Sequence, residues 1–308
     1  MIASRLDVAA EVAAAVAARR PVVALESTLI SHGLPYPQNL EVARASEAAV
    51  RTASAIPATV AIHAGRIQVG LTAAGLEALA TAPAGSVLKA ARPSLATALE
   101  APGWAATTVS ATMIAAAAAG IEVFATGGIG GVHRAVGGSA LDISSDLEEL
   151  ARTPMVVVCA GPKAILDIPA TLEYLETRGV PVVAIGQPEL PGFFARSAGV
   201  AAPHSVADEA AAAHLAATHL GLGLGSAILF CVPPPADVAL SEAVVRAAID
   251  QALAAAERAS VHGPDLTPWL LARMAELTDG ASVRANTALI VNNARVAARL
   301  AVALASSR

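Results

Sequence analysis

Lysine is almost absent from this chain of 308 residues. Lysine and arginine together number 20, and only Lys89 and Lys163 are lysines, so arginine fills every other basic position. Arginine keeps its proton in proteins and forms no imine, whereas lysine can lose its proton and can form an imine. The two lysines are therefore either retained by chance or kept because the protein requires an amine.

Cysteine, aromatic residues and charge are also scarce. Cys159 and Cys231 are the only cysteines and cannot build a disulfide framework, which predicts a reducing, cytoplasmic setting. Aromatic residues make up 3% of the chain and the arginines are scattered, so neither a base-stacking platform nor a basic patch for nucleic acid is expected. A charged fraction of 15% beside a hydrophobic fraction of 55% excludes a disordered chain.

A long uninterrupted apolar run is missing as well. The mean hydropathy is +0.60, and most of that value comes from alanine. The richest stretch, Ala105 to Val123, is interrupted by hydroxyl side chains, Gly120 and Glu122, whereas a bilayer span needs ~20 apolar residues. The N-terminal segment carries too many charges for a secretory signal. We expect no association with a membrane.

Short apolar segments alternate with amphipathic segments along the chain. Strands are predicted at Val22 to Glu26, Thr59 to His63, Val87 to Lys89, Glu122 to Thr126, Met155 to Ala160, Val180 to Ile185 and Ala227 to Val232. Helices are predicted at Leu40 to Ala53, Ala73 to Ala80, Ala111 to Ala119, Lys163 to Arg178 and Val206 to Leu220. From Val238 onward the tail is predicted to be helical, with turns near His262 to Pro264 and near Asp279 to Gly280. This alternation predicts an α/β fold of three layers, α/β/α, with a mostly parallel central sheet, helical N- and C-terminal extensions and a single domain over residues 1–308.

Polar residues follow several predicted strands, and in such sheets ligands bind at the carboxyl ends of the strands. In VVALESTLISHGLPYPQN, Glu26 ends a buried apolar strand. Desolvation at such a position favours a neutral carboxyl group, which suits a general acid or base. The alternative is a helix cap or a buried ion-pair partner.

The segment VVVCAGPKAILDI places Lys163 just after a buried strand, at the predicted start of a helix. Apolar surroundings and the positive end of a helix both disfavour an ammonium ion, and a neutral amine attacks carbonyl groups. Lys89, also at a strand end, is a candidate for added positive charge or phosphate binding. Cys159 lies inside the strand and is expected in the core.

Two further segments carry weaker signals. The segment IEVFATGGIGGVHR runs from a strand into a glycine-rich loop, which either approaches an anion or makes a tight turn. His133 in this segment either contacts a ligand or serves as a capping residue. LDISSDLEEL places Asp142 and Asp146 beside Ser144 and Ser145. This group either holds a hydrated divalent cation or caps a helix, and spacing alone favours the cap.

Asparagine is rare, and most of it lies in RANTALIVNNARVAARL, which begins at Arg284 and contains Asn286. Concentration of a rare amide in one helix hints at ligand recognition. Capping or hydrogen bonding between helices is the alternative.

Taken in order, these motifs resemble the pseudouridine-5'-phosphate glycosidase family over nearly the whole chain. The matching segments are ALESTLISHGLPYPQN, ATTVSATM, VFATGGIGGVHR, DISSDLEEL, VCAGPKAILDI, EYLETRGVP, TPWLLARMAELTDG and NTALIVNNA. The resemblance implies an α/β/α homotrimer that uses a divalent metal, usually Mn²⁺ or else Mg²⁺. It implies reversible cleavage of pseudouridine 5'-phosphate to uracil and ribose 5-phosphate.

The resemblance also implies roles for individual residues. Lys163 matches the lysine that forms an imine with ribose C1', and Glu26 matches the acid that protonates the ring oxygen. Asp142 resembles the metal-site aspartate. The positions that match substrate-binding residues are Lys89, Val109, His133, Ser144, Ser145, Asp146 and Asn286.

The chemistry of a C-glycoside requires a similar set of groups. A carbon leaving group offers no lone pair to protonate, unlike the leaving oxygen of an ordinary glycoside. Opening the ribose and converting C1' into an imine creates a place for the electrons of the breaking bond. Two alternatives remain at this point: another Schiff-base lyase or aldolase acting on a sugar phosphate, and a non-catalytic sugar-phosphate-binding protein.

Overall fold

The computed structural model describes residues 2–134, 142–261 and 266–306. Its strands are β1 Leu6–Val8, β2 Val22–Leu25, β3 Ile56–His63, β4 Arg66–Val69, β5 Leu88–Ala90, β6 Trp104–Thr107, β7 Val123–Ala125, β8 Val132–His133, β9 Val156–Cys159, β10 Leu166–Asp167, β11 Val182–Ile185, β12 His204–Val206 and β13 Ile228–Cys231. Its α-helices are α1 Ala10–Ala17, α2 Gln38–Thr52, α3 Ala73–Ala80, α4 Leu95–Glu100, α5 Val109–Ala118, α6 Ser145–Leu150, α7 Ile168–Thr177, α8 Glu209–Gly221, α9 Glu242–Arg258, α10 Leu266–Leu277 and α11 Ala281–Ser306.

Eleven of the described strands form one sheet, and β8 with β10 forms a small second one. The strands β3, β2, β7, β9, β13, β11 and β12 lie side by side in that order and run parallel. At one edge, β4 and β6 pair antiparallel with β3, while β1 joins β4 and β5 joins β6 in parallel. The prediction of a mostly parallel sheet is confirmed.

Helices cover both faces of this sheet, which gives the three predicted layers. The central strands are buried on both faces because their side chains are apolar on both, as in VVAL of β2 and VVVC of β9. Alternate side chains enter two separate cores: one with α1, α5, α6 and α7, the other with α2, α8 and α11. Successive side chains of a strand point to opposite faces, so one apolar strand serves both cores.

Helix α11 is long and apolar enough to cross a membrane by length and composition alone. In the structure it packs on α2, α8 and the strands β2, β7 and β9, with residues such as Leu289, Ala297 and Leu300 fully buried. Its apolar residues therefore form part of the protein core. The tail is thus only in part an extension, because α11 is one of the layers.

Several boundaries differ from the sequence predictions. The helix expected from Lys163 begins at Ile168, since Asp167 caps it by accepting from the Ala170 N–H at 3.0 Å and a proline follows in the first turn. The segment expected as one helix from Val206 contains the end of β12 before α8 begins. The N-terminal extension includes the edge strand β1 as well as α1.

The turn predicted near Asp279 to Gly280 is present between α10 and α11, and both residues there have positive φ. The turn predicted near His262 to Pro264 lies outside the described residues.

Candidate active site

Three neighbouring parallel strands, β2, β7 and β9, end at the same edge of the sheet. Glu26 follows β2, Thr126 follows β7, and the segment from Ala160 to Lys163 follows β9. Adjacent parallel strands place their carboxyl ends together, so these residues meet where ligands bind in open α/β sheets.

The carboxyl group of Glu26 is nearly enclosed, with 8% of the residue exposed. Thr126 donates its hydroxyl to Oε1 of Glu26, and Thr28 donates its hydroxyl to Oε2. Each carboxylate oxygen therefore has a partner that fixes its direction. The functional prediction for Glu26 gains support over the alternative of an ion pair, because no basic side chain is bonded to it among the described residues.

Lys163 lies in a loop and not at a helix end. Its main-chain N–H donates to the Ile129 carbonyl at 3.1 Å, and its main-chain carbonyl accepts from the Leu166 N–H at 3.0 Å. Ile129 and Pro162 form a parallel bridge, so the glycine-rich loop and the lysine loop continue the pairing of β7 with β9. The expected effect of a helix end on Lys163 is wrong, because Asp167 and not Lys163 precedes the first turn of α7.

Lys89 reaches this edge from a different direction. Strand β3 is longer than β2 and continues past its end. Strand β6 pairs antiparallel with this extra length of β3. The end of β6 therefore returns toward Glu26, where the Thr107 N–H donates to Oγ of Ser27 at 2.9 Å. Lys89 sits on β5, in register with Ala106 of β6.

The two lysines influence each other through space. The pKa of the Lys89 amine is lowered, first because the surrounding protein removes water from it and then because Lys163 carries a like charge. The carboxylates Asp146 and Glu26 act in the opposite direction on the same pKa. Since such interactions fade over roughly 10 Å at ordinary salt, these four side chains share one electrostatic neighbourhood.

His133 belongs to the same neighbourhood. Burial lowers the pKa of its imidazole, the charge of Asp142 opposes that shift, and the charges of Lys163 and Lys89 reinforce it. The structure therefore brings together His133 and both lysines, which lie 44 and 30 positions from it in the sequence (133 − 89 and 163 − 133). A mostly neutral imidazole is available there as a hydrogen-bond donor or acceptor.

The glycine-rich loop uses its amides to hold the protein itself together. Oδ2 of Asp146 accepts from the Gly130 N–H at 2.9 Å, and Oδ1 accepts from the Ser110 N–H at 3.0 Å. A Cβ on Gly130 would lie 2.2 Å from Oγ of Ser144, so only glycine fits at this position. The tight-turn interpretation of the loop is therefore favoured, and Asp146, 5% exposed, links the loop to α5.

Asp142 and Asp146 differ in their surroundings. Asp142 is exposed, whereas Asp146 is turned toward main-chain amides. Within the described ranges, no three His, Cys, Asp or Glu side chains come together as a metal site. One exposed carboxylate fits a hydrated Mg²⁺ or Mn²⁺ ion, which keeps most of its waters, better than an enclosed ion.

The remaining predicted residues lie around this edge. Ser144 caps α6 by accepting from the Asp146 N–H at 3.2 Å, as the capping alternative expected, and Oγ of Ser145 lies 3.3 Å from Oγ of Ser110. The Val109 side chain is 1% exposed and packs in the core, so only its main chain, in the first turn of α5, can meet a ligand. Asn286 is half-buried on α11.

The sequence places Thr28 and Thr126 among the polar residues that follow predicted strands and His32 in the next loop, but it indicates no role for Thr126, Thr28 or His32, the neighbour of Lys89. Burial and the Lys89 charge lower the pKa of His32, while a hydrogen bond to the Val87 main chain raises it. The signal that could have found the threonines was their position immediately after strands that lie beside each other. Cys159 is fully buried, as predicted for a core residue.

The arrangement combines the Lys163 amine in a loop, a second amine, Lys89, whose own pKa is lowered, and an enclosed carboxyl group held by two hydroxyls. An amine of this kind can attack a carbonyl carbon, and the carboxyl group can transfer a proton. The three groups together suit covalent chemistry on a carbonyl compound.

Known proteins are similar to this chain in sequence and in fold. A family model described as "Indigoidine synthase A like protein" matches residues 11–303. A pseudouridine-5'-phosphate glycosidase of Paracoccus denitrificans (strain Pd 1222) is 53% identical over 298 residues, which cover 96% of this chain and 97% of that relative. A protein of the same name from Caldanaerobacter subterraneus subsp. tengcongensis is 51% identical over 299 residues, covering 97% and 96%.

Two solved structures have the same fold as this chain. A prealnumycin C-glycosynthase, AlnA, in complex with ribulose 5-phosphate superposes with a TM-score of 0.89 at 40% identity, covering 98% of this chain and 97% of that chain. An indigoidine synthase A-like protein of Thermotoga maritima superposes with a TM-score of 0.85 at 30% identity, covering 97% and 96%. The chain therefore belongs to the indigoidine synthase A-like family, together with the pseudouridine-5'-phosphate glycosidases.

Proposed function

We propose that the protein is a pseudouridine-5'-phosphate glycosidase, which cleaves the C–C glycosidic bond of pseudouridine 5'-phosphate reversibly to uracil and ribose 5-phosphate. The observation that carries this proposal is the meeting of the only two lysines with Glu26 at one edge of the sheet. Relatives of that name match the full chain, and the related C-glycosynthase structure holds a pentulose phosphate.

In the proposed reaction, the Lys163 amine adds to C1' while Glu26 gives a proton to the ring oxygen, so the C1'–O bond breaks and the sugar opens. The nitrogen lone pair then forms an imine as the C1'–C bond breaks. The uracil carbon is protonated before that bond breaks, so the electron pair of the bond enters the π system of the ring and restores the double bond of uracil. Water hydrolyses the imine, which frees Lys163 and ribose 5-phosphate.

The other residues hold the open chain in place, which is where much of the rate enhancement for such a reaction arises. Lys89 supplies positive charge for the substrate anion. The Val109 main chain, His133, Ser144, Ser145, Asp146 and Asn286 line the site. Each oxygen of Asp146 accepts one main-chain N–H and keeps a second lone pair for the substrate.

Asp142 is the proposed ligand of a hydrated Mn²⁺ or Mg²⁺ ion, which when bound would neutralise negative charge on the substrate. Titration of Mn²⁺, followed by the electron paramagnetic resonance signal of the free ion, tests this directly. Wild-type protein is expected to bind the ion and Asp142→Asn to lose binding. Asp7→Asn is the control, because Asp7 lies on the N-terminal edge strand and is paired there with Arg66 of the neighbouring strand. Equal binding by wild type and Asp142→Asn would contradict the assignment.

We further propose that the protein is a cytoplasmic homotrimer with no nucleic-acid or membrane partner, acting on small molecules. Light scattering after size exclusion should give three times the chain mass of 30.6 kDa. A monomeric mass would refute the trimer.

Product analysis separates the proposal from its alternatives. Incubation with pseudouridine 5'-phosphate should release uracil, and uracil with ribose 5-phosphate should return the C-nucleotide, both resolved by chromatography. Another Schiff-base lyase, or a C-glycosynthase with a different acceptor, would capture ribose 5-phosphate on lysine without releasing uracil. A sugar-phosphate-binding protein would do neither.

A further inference from the structure

Asn293 of α11 is fully buried and reaches the end of a strand far away in the sequence. Its side-chain NH₂ donates to the Thr126 carbonyl at 2.9 Å and to the Gly127 carbonyl at 3.2 Å. Its Oδ1 has no hydrogen-bond partner among the described residues. A buried amide oxygen without a partner is costly, so the two donated bonds are what this asparagine contributes to the fold.

The helix lies very close to the strand end that Asn293 holds. A Cβ on Gly127 would lie 2.9 Å from Cγ1 of Ile290, one turn before Asn293 on α11. Ile290 and Asn293 thus hold the Thr126–Gly127 peptide from the side of α11. A hydrogen bond between the Thr126 N–H and the Val158 carbonyl at 3.0 Å holds it from the sheet. Thr126 has little freedom to move.

Thr126 is also one of the two threonines that bind the Glu26 carboxyl group, the other being Thr28. The Thr126 hydroxyl donates to Oε1 of Glu26, the group that gives its proton away in the proposed reaction. A hydroxyl can donate to a carboxylate and can rotate to accept from a carboxylic acid, so the same contact serves both protonation states. The position of the acid is therefore linked, through Thr126, to α11.

We infer that Asn293 is a positioning residue for Glu26 and acts through Thr126, a role that rests on the function proposed above. Asn286 lies seven residues before Asn293, two helical turns away and on the same face of α11. One face of this helix thus carries both a candidate substrate contact and the support of the proton donor.

Turnover of pseudouridine 5'-phosphate by Thr126→Val, Thr126→Ser, Asn293→Ala and the double variant tests this inference. Thr126→Val should lower kcat roughly tenfold to hundredfold with little change in KM, because misplacing a reacting group by ~1 Å costs about that much. Thr126→Ser, which keeps the hydroxyl, should restore turnover. Asn293→Ala should lower kcat about tenfold in the wild-type background. In the Thr126→Val background it should change kcat little, because the two residues act in series.

Asn292→Ala is the matched control, because it removes the neighbouring, half-buried asparagine of the same helix. All variants are compared well below the midpoint of their thermal unfolding, so that a loss of folded protein does not enter kcat. Multiplicative losses in the double variant, or an Asn293→Ala defect that appears in stability alone, would overturn the inference.

A crystal structure of Asn293→Ala keeps the two proposals apart. We expect the Thr126 hydroxyl to move out of hydrogen-bond distance of Glu26. If the wild type released no uracil while Thr126 moved as expected, the proposed function would fail and the positioning role would stand. If the wild type were active and Thr126 stayed in place, the positioning role would fail alone.

Discussion

Replacing Gly130 by alanine inserts a methyl group into the contact between the glycine-rich loop and the start of α6. The new Cβ would lie 2.2 Å from Oγ and 2.6 Å from Cβ of Ser144, and 2.8 Å from Oδ2 of Asp146. Rotation of the serine hydroxyl cannot remove the second contact, since the Cβ moves only with the main chain. The loop and the helix must therefore separate, and the hydrogen bond from Gly130 to Asp146 is strained or lost.

The expected cost combines two effects. Overpacking of a well-packed region costs about 1–3 kcal/mol, and a hydrogen bond to a charged group contributes about 1.5–3 kcal/mol. Because the two effects share the same displacement, we expect about 2–4 kcal/mol in total. At roughly 2–4 °C per kcal/mol for large domains, Tm should fall by about 5–15 °C. Turnover should fall too, because Ile129, the residue before Gly130, accepts the main-chain hydrogen bond from Lys163.

Thermal unfolding followed by circular dichroism measures this effect, with Gly103→Ala as the matched control. A Cβ on Gly103 meets nothing within 4 Å, and its φ lies outside the left-handed range, so its Tm should stay close to that of the wild type. Equal stability and equal turnover of the two alanine variants would refute the packing described for Gly130.

Three further predictions concern ionisation, thiol access and a helix cap. The pKa of Lys89 is lowered, so this amine loses its charge at a lower pH than a free lysine; KM for the phosphorylated substrate should therefore rise early on the alkaline side, and Lys89→Arg should remove that rise. Cys159 and Cys231 face each other on neighbouring strands and are fully buried, with the pKa of Cys231 raised by the adjacent Cys159 thiol and by burial; native protein should resist iodoacetamide, and labelling faster than unfolding would contradict this burial. Asp167→Ala should lower stability by about 0.5–2 kcal/mol in urea unfolding, and no loss would show that α7 does not begin there.

The central strands and the main site residues could be predicted because their signals are local. VVAL and VVVC are short apolar runs followed at once by polar residues, and parallel strands bring such ends together. Glu26 and Lys163 follow from that reasoning. The rarity of lysine then singles out Lys89 as well.

The edge of the sheet could not be predicted in the same way. The strand β6, Trp104–Thr107, has two alanines that favour helix locally, and it becomes a strand because β3 offers it a partner and the core buries it. The route by which Lys89 reaches the site depends on that pairing. Local periodicity carries no information about it.

The support of the acid is a matter of distant contacts. Asn293 and Thr126 are 167 residues apart, and nothing in either segment indicates that they meet.

The start of α7 differs from its prediction for another reason. The helix signal, Asp167 followed by a proline, was present but was outweighed by the apolar pattern from Lys163 onward.

Trapping of the covalent intermediate tests the role of Lys163 most directly. The protein is incubated with ribose 5-phosphate, reduced with borohydride and digested, and the modified peptide is located by mass spectrometry. The pentose phosphate should be found on Lys163 in the wild type and be absent in Lys163→Arg, which keeps the positive charge but forms no imine. A pentose on Lys89, or a Lys163→Arg variant that still releases uracil at the wild-type rate, would contradict the proposed mechanism.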